Sequence, residues 1–207
     1  RGTTKQKDQI VIEKKTILQI NKHINKHLYH TPTNETELIK GYIASQFQKE
    51  IKSIKTTKEQ YHITLSDQNI PAPDLPDQTI RFHDTLVFNL TAKFQEKAIL
   101  FKETAICESA GIANTKELLH FAEDIHSESA FYKVIGQLTT EEIKSIQNYI
   151  LLVSFKLTES FITMCKNLNI KHIITRTAPT STAYDIAQSS NIKLIGFARG
   201  TKYSIYT

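Results

Sequence analysis

Polar and charged residues stand where a predicted strand of this chain gives way to a predicted helix. Arg176 follows the apolar run that ends at Thr175, and Thr180 and Ser181 open the next helical segment. A helix amino terminus offers unpaired N–H groups and the positive end of its dipole, and an arginine adds charge. The pattern indicates a phosphate site, while a simple helix cap also explains the two hydroxyls.

A second basic turn follows the last predicted strand of the chain. Glycine at position 200 allows a close approach of the backbone, and Arg199 and Lys202 bracket it with positive charge. In an arrangement of parallel strands this turn shares an edge of the sheet with Arg176. The two basic turns, with Arg176 in one and Arg199 and Lys202 in the other, therefore indicate an anion site at this edge.

Two further features bear on catalysis. His126 and Glu128 match the H-x-E half of a zinc deaminase motif, but the segment from Ser154 to Thr158 lacks the Pro-Cys-x-x-Cys of the other half. The two cysteines, Cys107 and Cys165, are far apart in sequence, and free cysteines are mostly buried. No catalytic residue and no metal ligand is predicted from these features.

Alternating strands and helices must position the two basic turns. We predict strands at 149–153, 172–175 and 192–197, separated by helices at 158–168 and 180–189. Such alternation is typical of βαβ units with parallel strands and right-handed crossovers. The last third of the chain is therefore predicted to be an α/β sheet.

The first part of the chain shows a different pattern. A strand is predicted over 10–20, with a turn near 25–26 into a second strand, and a helix over 34–50. A strand at 61–65 precedes a proline-rich loop over 66–78.

In the middle of the chain, helices are predicted at 84–99 and 127–136, on either side of two strands that flank a turn at 114–115.

Composition limits the class of protein. The net charge is +5, with 40% hydrophobic and 23% charged residues, which is the balance of a folded chain rather than a disordered one. No dense Lys/Arg stripe indicates nucleic acid. The longest apolar run, Tyr149–Val153, is far short of the roughly 20 residues of a membrane helix. With no visible signal peptide and few cysteines, we expect a cytoplasmic protein that contacts no membrane.

Several segments, taken in order, resemble the FdhD/NarQ family. The carboxyl-terminal part of the match is Ala178–Ser181, Asp185–Ala187, Leu194–Gly200 and Tyr206-Thr207. The amino-terminal part is Thr31-Pro32, Leu38, Gly41-Tyr42, Glu123-Asp124 and Lys133–Gly136. Together these segments span nearly the whole chain.

The resemblance implies a fold and an activity. The fold would be a cytidine deaminase-like mixed sheet with flanking helices at 81–207, plus a smaller amino-terminal α+β subdomain at 1–80. The activity would be transfer of persulfide sulfur from a cysteine desulfurase to the bis-molybdopterin guanine dinucleotide cofactor of formate dehydrogenase, by a homodimer. The turn formed by Phe197, Ala198, Arg199, Gly200, Thr201 and Lys202 would hold the nucleotide of this cofactor. Arg176, Thr180, Ser181, Arg199 and Lys202 would bind its phosphates.

The chain departs from the family pattern at three places. The family carries its reactive cysteines in a loop that corresponds to 66–81, which has no cysteine here. His126–Ser129 replaces a Gly-Arg-His-Asn segment, and Ala105–Glu108 replaces Gly-Gly-x-His.

Two explanations for the missing cysteines stay open. A mobile loop between Ser66 and Gln78 is omitted from the sequence, or the chain is a divergent relative without sulfur transfer. In the second case the alternative function is a non-catalytic chaperone that binds a nucleotide or a partner.

Overall fold

The computed structural model describes residues 9–57, 60–70 and 80–207 of the chain. These residues form two mixed β-sheets with flanking helices, which is the α/β fold that the sequence predicts. The first sheet and its helix comprise β1 (Lys14–Ile20), β2 (Ile24–His30), α1 (Glu35–Phe47), β3 (Lys49–Thr56) and β4 (Tyr61–Asn69). The remaining elements are α2 (Asp84–Lys97), α3 (Ile99–Thr104), β5 (Glu108–Ala113), β6 (Leu118–Asp124), α4 (Ser127–Gly136), α5 (Thr140–Lys144), a short 3₁₀ turn (Ile146–Asn148), β7 (Ile150–Val153), α6 (Glu159–Asn167), β8 (His172–Thr175), α7 (Ser181–Ser189), β9 (Lys193–Arg199) and β10 (Lys202–Ile205).

The first sheet has the strand order β2-β1-β4-β3, in which β1 and β4 are parallel. Strands β1 and β2 form an antiparallel hairpin. Its turn places Asn21 and Lys22 at φ of 49° and 66°. Two successive left-handed residues match the right-handed twist of hairpin strands, which explains why the hairpin turns here.

The second sheet has the order β10-β9-β8-β7-β5-β6. Strands β7, β8 and β9 are parallel, as the alternating pattern predicts, while β5, β6 and β10 join by antiparallel pairing. On one face of this sheet, Leu90 and Phe94 of α2 belong to the same apolar cluster as Ile150 and Leu152 of β7. Because both faces are covered, the central strand β7 is apolar and buried along its whole length.

The two sheets are joined where α1 crosses α4. A Cβ atom added to Gly41 would lie 1.7 Å from the carbonyl oxygen of Tyr132, and one added to Gly136 would lie 1.9 Å from that of Glu37. Only glycine therefore permits this backbone-to-backbone approach. One hydrophobic core, which includes Leu18 of β1 and Phe131 of α4, extends across the crossing.

A buried ion pair lies beside this crossing. The Lys133 Nζ atom is 2.7 Å from the Asp124 Oδ2 atom, with side-chain exposures of 1% and 0%. Lys133 also donates to the Thr31 hydroxyl at 2.7 Å and to its carbonyl at 3.0 Å. The Thr31 amide donates to Asp124 at 3.1 Å. Since Thr31 follows β2 and Asp124 ends β6, the hydrogen-bonded cluster of Thr31, Asp124 and Lys133 links the two sheets.

Several predicted boundaries are wrong. The first helix ends at Phe47 rather than position 50, because β3 begins at Lys49 and pairs with β4. The first strand begins at Lys14 instead of position 10, and its turn is at 21–23 rather than 25–26. Pairing with β3 extends β4 to Asn69, so 66–69 is strand where a loop was predicted. Positions 71–78 of that predicted loop lie outside the described residues.

Other predicted boundaries shift by smaller amounts. The helix predicted at 84–99 divides into α2 and α3 around Ala98, whose ψ of 71° interrupts the helix. Helix α4 is confirmed at its predicted bounds, and so is β8. The division of the chain at residue 80 stays a prediction. In the part of the chain that the structure describes, no helix is long and apolar enough to cross a bilayer.

Replacing Gly136 with alanine tests the helix crossing. The added methyl group would meet the Glu37 carbonyl, so α1 and α4 must separate, and we expect unfolding free energy to fall by at least about 3 kcal/mol. Gly200→Ala is the matched control, because a Cβ atom added there meets no atom within 4 Å. Its only cost is the backbone strain of alanine at a φ of 58°, which should lower the unfolding free energy by about 1–2 kcal/mol. Urea unfolding measures both variants. An equal loss in the two variants would contradict the close crossing.

Replacing Lys133 with methionine tests the buried ion pair. The change leaves the Asp124 carboxylate buried without a counter-charge, and we expect a loss of about 3–5 kcal/mol in unfolding free energy. The control Lys166→Met removes an exposed lysine of α6 and should change stability by less than about 0.5 kcal/mol. Adding Asp124→Leu to the first variant should recover much of its loss. If both lysine variants unfold alike, the pair does not hold the sheets together.

Candidate functional site

A cleft lies at the carboxyl edge of the three parallel strands. Ser154 follows β7, Arg176 follows β8 and Arg199 ends β9, so the strand ends bring the three side chains together. Phe101 of α3 and Glu108 at the start of β5 complete its walls. The volume is about 260 Å³. We call this site the arginine cleft.

Two guanidinium groups face the cleft without a carboxylate partner. Arg199 donates its Nε–H to the carbonyl oxygen of Arg176 at 2.7 Å. The Nε atom of Arg176 is buried and has no hydrogen-bond partner among the described residues. No described residue forms an ion pair with either arginine. An unpaired buried donor on a cation is costly, and an oxyanion would satisfy it.

The electrostatics of the cleft favour the same ligand. Burial lowers the pKa of the Arg176 guanidinium, and the positive charge of Arg199 lowers it further, while Glu108 opposes the shift. Arginine stays charged in proteins, so both groups remain cations. Two like charges held close together are stabilised by an anion between them.

Glu108 and Ser154 contribute polar groups to the same cleft. The Ser154 hydroxyl donates to the Glu108 carboxylate and accepts from the Ser109 amide at 2.9 Å. The antiparallel pairing of β5 with β7 brings these residues together. The sequence hypothesis did not include either residue in the site. Their proximity depends on strand order, which no local pattern in the sequence shows.

The end of β9 and the turn that follows it have an unusual backbone. Phe197 has a φ of 50°, a left-handed conformation that costs a bulky residue about 1–2 kcal/mol. Its amide donates to the Thr177 carbonyl at 2.7 Å. The conformation leaves Phe197 46% exposed while Ala198 is buried. Gly200, with a φ of 58°, completes the turn where a side chain would be strained. The turn thereby directs Arg199 toward Arg176.

The other predicted ligands lie apart from the cleft walls. Thr180 caps α7, since its hydroxyl accepts from the Ala183 amide at 3.2 Å, and Ser181 is the first residue of that helix. Thr201 and Lys202 are exposed, and Lys202 begins β10. Among the described residues that line the cleft, the structure brings together Arg176 and Arg199. The nucleotide-binding role of all these residues stays a prediction.

Neither cysteine has the surroundings of a reactive thiol. Cys107 is 1% exposed and Cys165 is 0% exposed. Burial raises the pKa of the Cys107 thiol, and the nearby Glu123 carboxylate raises it further. Burial also raises the pKa of Cys165. A thiolate nucleophile needs the opposite shift.

The half-motif at His126 does not form a metal centre in the described part of the chain. The His126 Nε2 atom lies 3.4 Å from the Glu13 carboxylate. Within 9–57, 60–70 and 80–207, no group of three or more His, Cys, Asp or Glu side chains is arranged to hold a metal ion.

Fold and cleft together define a class of protein: an α/β protein with a second mixed sheet and a cleft lined by two arginines at the edge of its parallel strands. The model of the FdhD/NarQ family matches residues 63–207. This chain belongs to the FdhD/NarQ family. The match includes both arginines and the buried Lys133–Asp124 pair.

Individual relatives agree with this assignment. The chain is 36% identical over 123 residues to the sulfur carrier protein FdhD of Sulfurisphaera tokodaii, which covers 59% of this chain and 48% of the relative. It is 26% identical over 202 residues to protein FdhD of Methanocaldococcus jannaschii, with 97% and 88% coverage. The matches thus extend over about half the length of the first of these relatives.

A solved structure shares the fold. A protein from Desulfotalea psychrophila, described as a putative formate dehydrogenase accessory protein, superposes with a TM-score of 0.78 at 19% identity. The superposition covers 97% of this chain and 88% of that protein. Both sheets therefore belong to a fold that the two proteins have in common.

Proposed function

We propose that this chain binds the phosphates of the bis-molybdopterin guanine dinucleotide cofactor in the arginine cleft and delivers this cofactor to formate dehydrogenase. The unpaired, partly buried guanidinium of Arg176 beside Arg199 carries the proposal. A pyrophosphate supplies several strong acceptors to such a pair of cations. The choice of this cofactor among phosphate compounds is what the resemblance to the FdhD/NarQ family implies.

The shape of the cleft supports binding of one end of a large ligand. Its volume of about 260 Å³ is smaller than a dinucleotide cofactor requires, so the remainder would extend past the turn at 197–202. Phe101 lines the cleft and is 41% exposed, and Phe197 is exposed on the turn. Exposed aromatic faces of this kind can stack on a nucleotide base.

Sulfur transfer is a separate part of the proposed family activity. In that step a carrier thiolate attacks the outer sulfur of a desulfurase persulfide, the S–S bond breaks, and the desulfurase cysteine leaves as a thiolate. The carrier then holds this sulfur as a persulfide. Such chemistry requires an accessible thiolate, and both cysteines of this chain are buried.

A non-catalytic chaperone that binds the nucleotide or a partner protein is the second candidate function. The burial of Cys107 and Cys165, with raised pKa values for both thiols, favours it. Both candidates use the arginine cleft, and they differ only in sulfur transfer. A cytoplasmic homodimer, with a cysteine desulfurase as a further partner, remains part of the proposal for the sulfur carrier.

Calorimetric titration with GDP tests the cleft. Arg199→Ala removes one guanidinium, and we expect the affinity for GDP to fall by about tenfold or more, as for the loss of charge-assisted hydrogen bonds. The matched control is Arg81→Ala, because Arg81 is exposed and does not line the cleft. Equal affinities for the parent protein and Arg199→Ala would refute phosphate binding at this site.

Intact mass spectrometry distinguishes the two candidates. The folded chain is incubated with a cysteine desulfurase and free cysteine, and the mass is measured without reductant. Because both thiols are buried, we expect no added sulfur, while the unfolded chain should react at both cysteines with a thiol reagent. A gain of one sulfur atom that Cys107→Ser abolishes would establish sulfur transfer and exclude the purely non-catalytic function.

A further inference from the structure

A second, larger cleft lies among α1, α4 and α6. Its volume is about 680 Å³, which is the size of a site for a small molecule. None of the residues that line it also lines the arginine cleft. We call it the helix cleft.

The floor of the helix cleft contains a buried hydroxyl without a partner in the described part of the chain, next to a tyrosine hydroxyl that also donates to the Met164 Sδ atom at 3.7 Å. Ser45 lies there with 2% exposure, and its hydroxyl has no hydrogen-bond partner among the described residues. Beside it, the Tyr132 hydroxyl accepts from the Gln46 side-chain amide at 3.0 Å. A buried hydroxyl without a partner costs stability, and a polar ligand would remove that cost. The floor therefore favours a ligand with hydrogen-bonding atoms.

Unpaired charges of both signs line the same cleft. Glu128 and Glu159 contribute two carboxylates, and Lys26 contributes one ammonium group. Within the described residues none of the three forms an ion pair. Both glutamates lie in the first turn of their helices. The cleft therefore offers partners for an ammonium group and for a carboxylate.

The Glu128 carboxylate lies near the floor. Burial raises the pKa of the Tyr42 and Tyr132 hydroxyls, and the negative charge of Glu128 raises both pKa values further. The rings of these tyrosines meet edge to face with centroids 5.4 Å apart. A rigid aromatic wall thus stands beside the carboxylate, where it can pack against the carbon atoms of a ligand.

We propose that the helix cleft binds a free amino acid with a polar, uncharged side chain. The ammonium group of the ligand would bind Glu128 and Glu159, and its carboxylate would bind Lys26. The side chain would reach Ser45 and Tyr132 on the floor. A zwitterionic amino acid would pair with all three charged side chains. A simple amine would leave Lys26 unpaired, and a dicarboxylate would be repelled by the two glutamates.

Titration with L-glutamine, putrescine and glutarate, followed by NMR, tests the proposal. We expect L-glutamine to bind with a dissociation constant below about 1 mM and the other two to bind at least about tenfold more weakly. Glu128→Gln and Lys26→Met should each weaken L-glutamine binding by about tenfold. The matched controls Glu117→Gln and Lys93→Met lie elsewhere, between α2 and β6, and should leave it unchanged.

Ser45→Ala separates a binding role from a structural one. It should weaken L-glutamine binding yet leave the ligand-free protein at least as stable, because it removes an unsatisfied hydroxyl. Arg199→Ala should retain L-glutamine binding, so the outcome does not depend on the function of the arginine cleft. Binding of putrescine or glutarate as tight as that of L-glutamine, or no L-glutamine binding at about 10 mM, would overturn the proposal.

Discussion

Lys133 and Asp124 meet 2.7 Å apart in a place that excludes water almost completely. Two charges removed from water are costly, and their attraction offsets that cost only when the remaining donors and acceptors are satisfied. Thr31 meets this requirement, since its hydroxyl and carbonyl accept from the lysine and its amide donates to the aspartate. Burial lowers the pKa of Lys133, and the Asp124 carboxylate opposes that shift. The pair is thus stable only while the two sheets stay together.

The close crossing of α1 and α4 also fixes how the two sheets are placed, through backbone contact between the helices. Gly41 and Gly136 allow the helix backbones to touch, and the crossing brings the end of β2 within reach of Lys133. The ion pair specifies one arrangement of the two sheets, and the glycines make that arrangement sterically possible. A shared apolar core then supplies most of the favourable burial.

The arginine cleft, unlike the ion pair, contains features that lower the stability of the protein. Arg176 keeps a buried donor without a partner among the described residues, and Phe197 adopts a strained backbone conformation close by. Both features cost free energy in the ligand-free protein, and such costs concentrate at functional sites. The parallel strands hold the two arginines in place, so the proposed ligand would meet an arrangement that is already formed. The buried cysteines, in contrast, behave as ordinary core residues.

The sequence by itself determined the mixed α/β class, the helices α4 and α7, the parallel strands near the carboxyl terminus and the two basic turns. Local propensity and apolar periodicity decide these features, and both are visible in a single chain. Tertiary structure alone decided that β3 and β10 form, because edge strands depend on a neighbour for their hydrogen bonds. It also placed Glu108 and Ser154 in the cleft and gave Lys133 its buried partner, since residues distant in sequence meet only through strand order and helix crossing.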